Sequence, residues 1–193
     1  MSLTLRKIDE MNIEATGFDD LYLITPKVFE DQRGYFFESF HHKKFREATG
    51  IDCDFVQDNQ SRSSHGVIRG LHFQVPPMAQ AKFVRVLQGE VLDVVVDLRK
   101  EKSTFGKSYS TLLSAENKKQ LFIPRGFAHG IVVLSESAEF FYKCDNYYSP
   151  ENERGIMYDD TSLNIDWKIE ADKRIISDKD TKHPSLEEFT SPF

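Results

Sequence analysis

The residues of this chain best suited to chemistry sit inside apolar, strand-like runs. Arg69 and His72 interrupt GVIRGLHFQ (66–74), and Lys82 opens KFVRV. Asp93 sits in VLDVVV, His129 in GFAHGIVV and Tyr142 in FFYKC. A buried charge without a partner is costly, so polar groups spread over separate strands are expected to gather in one polar cavity. An imidazole, a phenol and an ammonium together suit proton abstraction beside a carbonyl. His72 or His129 is the candidate base, Lys82 and Arg69 the cations for an enolate oxygen, and Tyr142 the acid that returns a proton. Plainer readings stand beside these. Tyr142 shares a strand face with Ala138, Phe140 and Cys144, as a core tyrosine would, and His129 follows PRGFA, where it would bond a turn. Asp93 reads equally as a substrate contact or as a partner that positions Lys82.

The run GVIRGLHFQ sets a geometric condition. On an unbroken strand Arg69 and His72 point to opposite faces, because their separation is odd. Both reach one ligand only if the backbone is re-aimed between them, and Gly70 is the residue suited to such a bulge.

Period-2 alternation dominates the elements that must carry these groups. In EVLDVVVDLR (90–99), Leu92, Val94, Val96 and Leu98 share one face and Val91, Asp93, Val95 and Asp97 the other. Further strands are expected at 21–29, 35–40, 54–62, 81–89, 109–115, 119–124, 130–135 and 137–145, separated by turn-like DQRG, RSSHG, PPMAQ and PRG. HHKKFREATG (41–50) predicts a short helix closed by Gly50, and PSLEEF near the end predicts another. Many short strands with few helices indicate an all-β sandwich or barrel. Sixteen Phe and seven Tyr against one Trp agree, since aromatics favour half-buried pleated surfaces.

At 193 residues, with no repeat or Pro/Gly-rich linker, the chain is expected to form one domain. A net charge of -6 argues against a nucleic-acid surface, yet leaves room for a small anionic ligand held by a few converging cations. No run is long and apolar enough to span a membrane. The amino terminus lacks the apolar core of a signal peptide, so the cytoplasm is the default expectation. The opening Met-Ser-Leu reads as a candidate expression scar, with Met11 an alternative start. Cys53 and Cys144 have no metal-like spacing and are expected as buried free thiols.

Taken together, the segments DQRGYFFESF, FVQDNQSRS, GVIRGLHFQVPPMAQAKFVRVLQGEVLDVVVDLR, STFG, LSAENKKQLFIPRGFAHGIVVL, EFFYKCDNYY and IISDKD resemble one family, the dTDP-4-dehydrorhamnose 3,5-epimerases. The resemblance runs from about residue 19 to 186. It implies a cupin-type jelly-roll barrel of antiparallel strands, with a core over about 19–150 and a C-terminal segment, 151–193, packed on it. It also implies a homodimer that needs no metal and no organic cofactor. The implied reaction inverts carbons 3 and 5 of dTDP-4-dehydro-6-deoxy-D-glucose, both of which flank the carbon-4 ketone. An epimerase acting on one of those carbons is the alternative within the class, and a non-catalytic nucleotide-sugar-binding cupin the alternative outside it.

By motif, the resemblance makes His72 the base and Asp180 of SDKD the carboxylate that fixes its tautomer. It makes Tyr142 the acid on the opposite sugar face and Lys82 the cation for the enolate, with His129 nearby. Substrate contacts are implied at Arg33, Glu38, Gln57, Asp58, Asn59, Arg69, Glu153 and Lys179, with Tyr148 stacking on thymine. Asp58 has a turn role as its alternative, and Glu38, Glu153 and Lys179 also read as solvated charges. Against the metal-binding cupin pattern, Gln74 stands where a second His belongs and Lys82 where a Glu belongs. A cation there repels a metal and attracts an oxyanion, and only His72 and His129 remain as ligand types, so no metal is expected.

Overall fold

Alternating apolar residues produce fourteen strands among the described residues. The computed structural model describes residues 5–8 in their backbone and residues 11–193 in full, so the opening Met-Ser-Leu lies outside the described residues. In chain order the strands begin with β1 (Leu5–Ile8), β2 (Met11–Ala15), β3 (Tyr22–Pro26), β4 (Phe29–Asp31) and β5 (Gly34–Phe36). After helix α1 (His42–Thr49) come β6 (Gln57–Ser64), β7 (Ile68–Gln74), β8 (Lys82–Gln88) and β9 (Glu90–Asp97). The remainder are β10 (Ser108–Ser114), β11 (Gln120–Ile123), β12 (Phe127–Val133), β13 (Ser137–Cys144) and β14 (Glu153–Gly155).

They form a seven-stranded sheet, β1-β2-β3-β11-β8-β13-β6, and a five-stranded sheet, β10-β9-β12-β7-β14, while β4 and β5 pair as a separate ribbon. Among the described residues every ladder is antiparallel, although only four of the eleven join strands consecutive in the chain. The sheets pack face to face as a jelly roll, with Val84, Val86 and Phe140 of one against Val91, Val95 and Ile131 of the other.

Both faces of β9 are buried, and the alternation sorts them as expected. Val91 and Val95 enter the core between the sheets, whereas Leu92, Val94, Val96 and Leu98 face outward onto the C-terminal segment. That segment covers them with Ile156, Leu163 and Trp167, whose indole donates to the Tyr158 carbonyl at 2.9 Å. Burying a side chain of this size contributes roughly 2–3 kcal/mol. On the far side, Phe45 and Ala48 of α1 cover the seven-stranded sheet. Gly50 ends α1 in the left-handed conformation, φ 80°, and its N–H caps the Arg46 carbonyl.

Three expectations need correction. The run 21–29 is split, because Pro26 offers no N–H to continue a ladder and β4 begins at Phe29. In 35–40 only Tyr35 and Phe36 are in a strand. PSLEEF forms no helix. Ser185 and Glu188 do make the reciprocal bonds of a capping box, but the single turn does not propagate, and Leu186 and Phe189 pack against the five-stranded sheet. Cys53 and Cys144 are buried free thiols, and burial pushes the Cys53 thiol up to about 12. Among the described residues, no helix is long and apolar enough to cross a membrane.

Candidate active site

The site begins at a break in β7. His129 of β12 faces His72 and Ile131 faces Arg69, so a step of two residues on β12 (129 to 131) spans a step of three on β7 (69 to 72). The extra residue is taken up at Gly70, whose φ is +130°. A Cβ there would lie 2.6 Å from the Gly130 Cα and 2.7 Å from the His129 carbonyl oxygen, so no larger residue fits. Past this bulge, Arg69 and His72 both line one cavity of about 530 Å³.

The outer edge of β7 has two backbone neighbours with a gap between them. β14 pairs with residues 72–74, and Ile175 bridges to Val67. In the gap, the Asp180 carboxylate stands in for a strand. Its Oδ2 accepts the Gly70 N–H at 3.2 Å and its Oδ1 lies 2.7 Å from Nε2 of His72. Burial pushes the Asp180 carboxyl upward, but the His72 hydrogen bond and charge and the Gly70 N–H outweigh it and leave it lowered. An ionised Asp180 therefore holds the proton on Nε2 and leaves the Nδ1 lone pair of His72 as the acceptor.

Across the cavity the seven-stranded sheet presents Tyr142 of β13 and Lys82 of β8, on strands paired with each other. Tyr142 packs beside Phe140, ring centroids 6.0 Å apart, and is only partly buried, so it is core-packed and cavity-lining at once. Burial raises its phenol, with further upward pressure from Cys144, which keeps the proton on the oxygen. Burial lowers the Lys82 ammonium, opposed by Cys144, Asp93 and Glu153, and its Nζ lies 5.8 Å from the Tyr142 ring centroid.

Behind these, His129 and Asp93 are both buried, with Nε2 to Oδ2 at 3.0 Å. Burial holds His129 below its ordinary value even against the attraction of Asp93. Asp93 thus pairs with His129, neither of the two roles read from the sequence. A turn role for His129 is also overturned, since it lies within β12.

A second hollow of about 340 Å³ shares His72, Lys82 and Tyr142 with the first. Gln57, Asn59, Tyr148 and Glu153 line it. Gln57 accepts the Tyr148 N–H at 2.9 Å and donates to Asn59 Oδ1 at 3.1 Å. The Tyr148 hydroxyl donates to Glu153 at 2.9 Å, and Lys179 pairs with the same carboxylate. Burial raises the Glu153 carboxyl, but Lys179 and Tyr148 outweigh it and leave it lowered. The hydrogen-bonded Tyr148 ring is half exposed beside this hollow.

A family model described as dTDP-4-dehydrorhamnose 3,5-epimerase matches residues 15–188. The chain belongs to the dTDP-4-dehydrorhamnose 3,5-epimerase family. Among curated relatives, the dTDP-4-dehydrorhamnose 3,5-epimerase of Shigella flexneri is 54% identical over 170 residues, covering 88% of this chain and 93% of that protein. The crystal structure of the Elizabethkingia anophelis enzyme of that name is 54% identical with a TM-score of 0.89, covering 92% of this chain and 97% of that one. A Legionella pneumophila dTDP-6-deoxy-D-glucose-3,5-epimerase in complex with dTDP-4-keto-L-rhamnose is 49% identical, with a TM-score of 0.89 and coverage of 93% and 95%. The expected cupin-type jelly roll of the epimerase family is thereby borne out.

Three residues expected at the epimerase site are not brought to either cavity. Asp58 is in β6 and not in a turn; the alternation that turns Gln57 and Asn59 inward turns it outward, where it pairs with Lys143 at 2.9 Å. Arg33 lies in the β4–β5 ribbon and pairs with Asp31 at 2.5 Å. Glu38 pairs with Lys44 of α1 at 2.9 Å. One residue that the sequence did not offer lines this site, and a second lies beside His72 without lining either cavity. Gln74 is buried, donates to the Met78 and Tyr147 carbonyls and accepts the Ser149 N–H, so it orders the loop that presents Tyr148. His183 lies beside His72, ring centroids 5.6 Å apart, and only its spacing from Asp180 in DTKH hinted at it.

Proposed function

We propose that this chain inverts carbons 3 and 5 of dTDP-4-dehydro-6-deoxy-D-glucose, giving dTDP-4-dehydro-L-rhamnose. The observation that carries the mechanism is that His72 and Tyr142 stand on opposite sheets across one cavity, with Lys82 beside Tyr142. His72 Nδ1 takes the proton next to the ketone, Lys82 stabilises the enolate oxygen, and the resulting imidazolium is stabilised by Asp180. Tyr142 then delivers a proton from the other side, which inverts the carbon. Each inversion leaves one extra proton on His72 and one fewer on Tyr142, so both reset through solvent before the second carbon reacts. Arg69 and Lys179 suit the diphosphate, and the hollow bearing Gln57, Asn59 and Tyr148 suits the remainder of the nucleotide.

Turnover in heavy water tests this reading. Deuterium at both carbons with the inverted product supports it. Label and inversion at one carbon select a single-centre epimerase, and no exchange at either carbon leaves a binding protein only.

The same reading makes the whole chain one functional domain, since the C-terminal segment supplies Asp180. It makes the protein a cytoplasmic homodimer in which the β4–β5 ribbon of one copy brings Arg33, and Glu38 beyond it, to the cavity of the other. The support is that Tyr35 and Phe36 of the ribbon are 58% and 69% exposed while both charges lie outside the chain's own cavity. Mixing an Arg33→Ala chain with a His72→Asn chain should restore activity in the hybrid dimer. Activity no higher than the sum of the two parents would place Arg33 in its own subunit's site.

A further inference from the structure

We propose that His72, Asp180 and His183 form a binding site for a divalent transition metal such as zinc, and that its occupation switches the base off. One ligand atom from each residue lies within 4.8 Å of the other two. Asp180 Oδ1 is 2.7 Å from His72 Nε2 and 3.6 Å from His183 Nε2. Those separations bracket the roughly 3.4 Å between ligand atoms around a tetrahedral zinc with bonds of about 2.0–2.1 Å.

The decisive observation is His183 Nε2, a buried atom with no hydrogen-bond partner. Residue 155 being glycine makes room for it, since a Cβ there would come within 2.4 Å. An imidazole nitrogen that makes no close hydrogen bond, 3.6 Å from a carboxylate that another imidazole already shares, completes a set of three ligand atoms. Two imidazoles and one carboxylate suit zinc and cobalt, and the anionic Asp180 offsets part of the cation's charge. This set lies beside β7 on the outer side of the bulge and does not use the barrel position where Lys82 opposes a metal.

Occupation would end proton abstraction by moving one proton within His72. For Nε2 to give its lone pair to the metal, its proton moves to Nδ1, so no net proton is lost from the neutral ring. The Nδ1 lone pair that would take the sugar proton is then consumed. This inhibitory half rests on His72 acting as the base; the binding half does not.

Zinc titration into the metal-free full chain, followed by calorimetry, should give one bound ion per chain. Zinc should also suppress solvent deuterium exchange into the sugar by about tenfold or more, reversed by a chelator, as expected if the base is occupied. His183→Asn should lose about 10–100-fold in zinc affinity and most of the fractional inhibition by zinc. Histidine ring-nitrogen NMR of the unmutated chain provides a readout independent of activity and of variant folding: zinc should shift the His72 and His183 signals and leave His129 in place. No stoichiometric binding, unchanged affinity in His183→Asn, or a shift confined to His129 would overturn the site. Binding at His72 and His183 with undiminished exchange would overturn the switch. If the metal-free chain shows no exchange at all, the epimerase reading fails while the binding result still stands or falls alone.

Discussion

His72 and Asp180 meet at 2.7 Å although 108 positions separate them, and Asp180 reaches the imidazole through a gap in the edge pairing of β7. One carboxylate oxygen orients the proposed base while the other accepts the Gly70 N–H at the bulge that aims it. The orientation of the base and the kink in the strand are therefore one structural unit.

Asp180→Asn should lower epimerase turnover by about 10²–10⁴-fold, because the amide presents an N–H as readily as an oxygen and no longer selects the Nε2–H tautomer. Substrate affinity should change little. Steady-state kinetics that showed a raised KM with undiminished kcat would instead assign Asp180 to binding.

Tyr142→Phe should impair inversion more than exchange. The base still abstracts a proton and can return one to the face it left, so deuterium enters without the configuration changing. Product analysis by NMR beside total label separates the two rates, and an equal loss of both would remove Tyr142 from the role of opposite-face acid.

Gly70→Ala should destabilise the fold by about 3 kcal/mol or more, combining a backbone angle hostile to L side chains with overlap against Gly130. Urea unfolding measures this. A loss of activity in a variant of unchanged stability would mean that β7 tolerates the Cβ and that the bulge matters only for aim.

Asp97 supplies the pH prediction. It is fully buried and accepts from Arg99 at 2.7 and 2.8 Å and from Thr104 at 2.6 Å. Burial raises its carboxyl, but Arg99 and Thr104 outweigh that and hold it lowered. With the folded value below the unfolded one, its contribution is present above about pH 3.9 and is lost as pH falls through the folded value. Asp97→Asn should cost about 3 kcal/mol at neutral pH, and the deficit should shrink below about pH 4. A deficit independent of pH, read from denaturant unfolding at both conditions, would mean that packing and not charge explains the loss.

Much of the fold is legible in the residues because strand alternation is a local property. The two faces of β9 separate into two cores as Leu92–Leu98 and Val91–Val95 predict, and Gly50 closes α1 as its type suggests. The Gly70 bulge is legible too, since two basic groups at an odd spacing demand one. PSLEEF misleads because a capping box starts a turn but cannot say whether packing will continue it. Asp58 misleads because the motif offers Gln57, Asp58 and Asn59 together, whereas alternation along β6 points the middle side chain away from the hollow.

What the sequence by itself determined is which strands form, which face of each is apolar, where β7 must kink, and, through its motifs, the family. Only the tertiary structure decided that Asp93 serves His129, that His183 joins Asp180 and His72, and that Arg33 and Glu38 lie outside the chain's own cavity. The physical reason is one of range. Alternation and backbone angles are set between neighbouring residues, whereas a hydrogen bond across 108 positions exists only after both sheets and the C-terminal segment have packed.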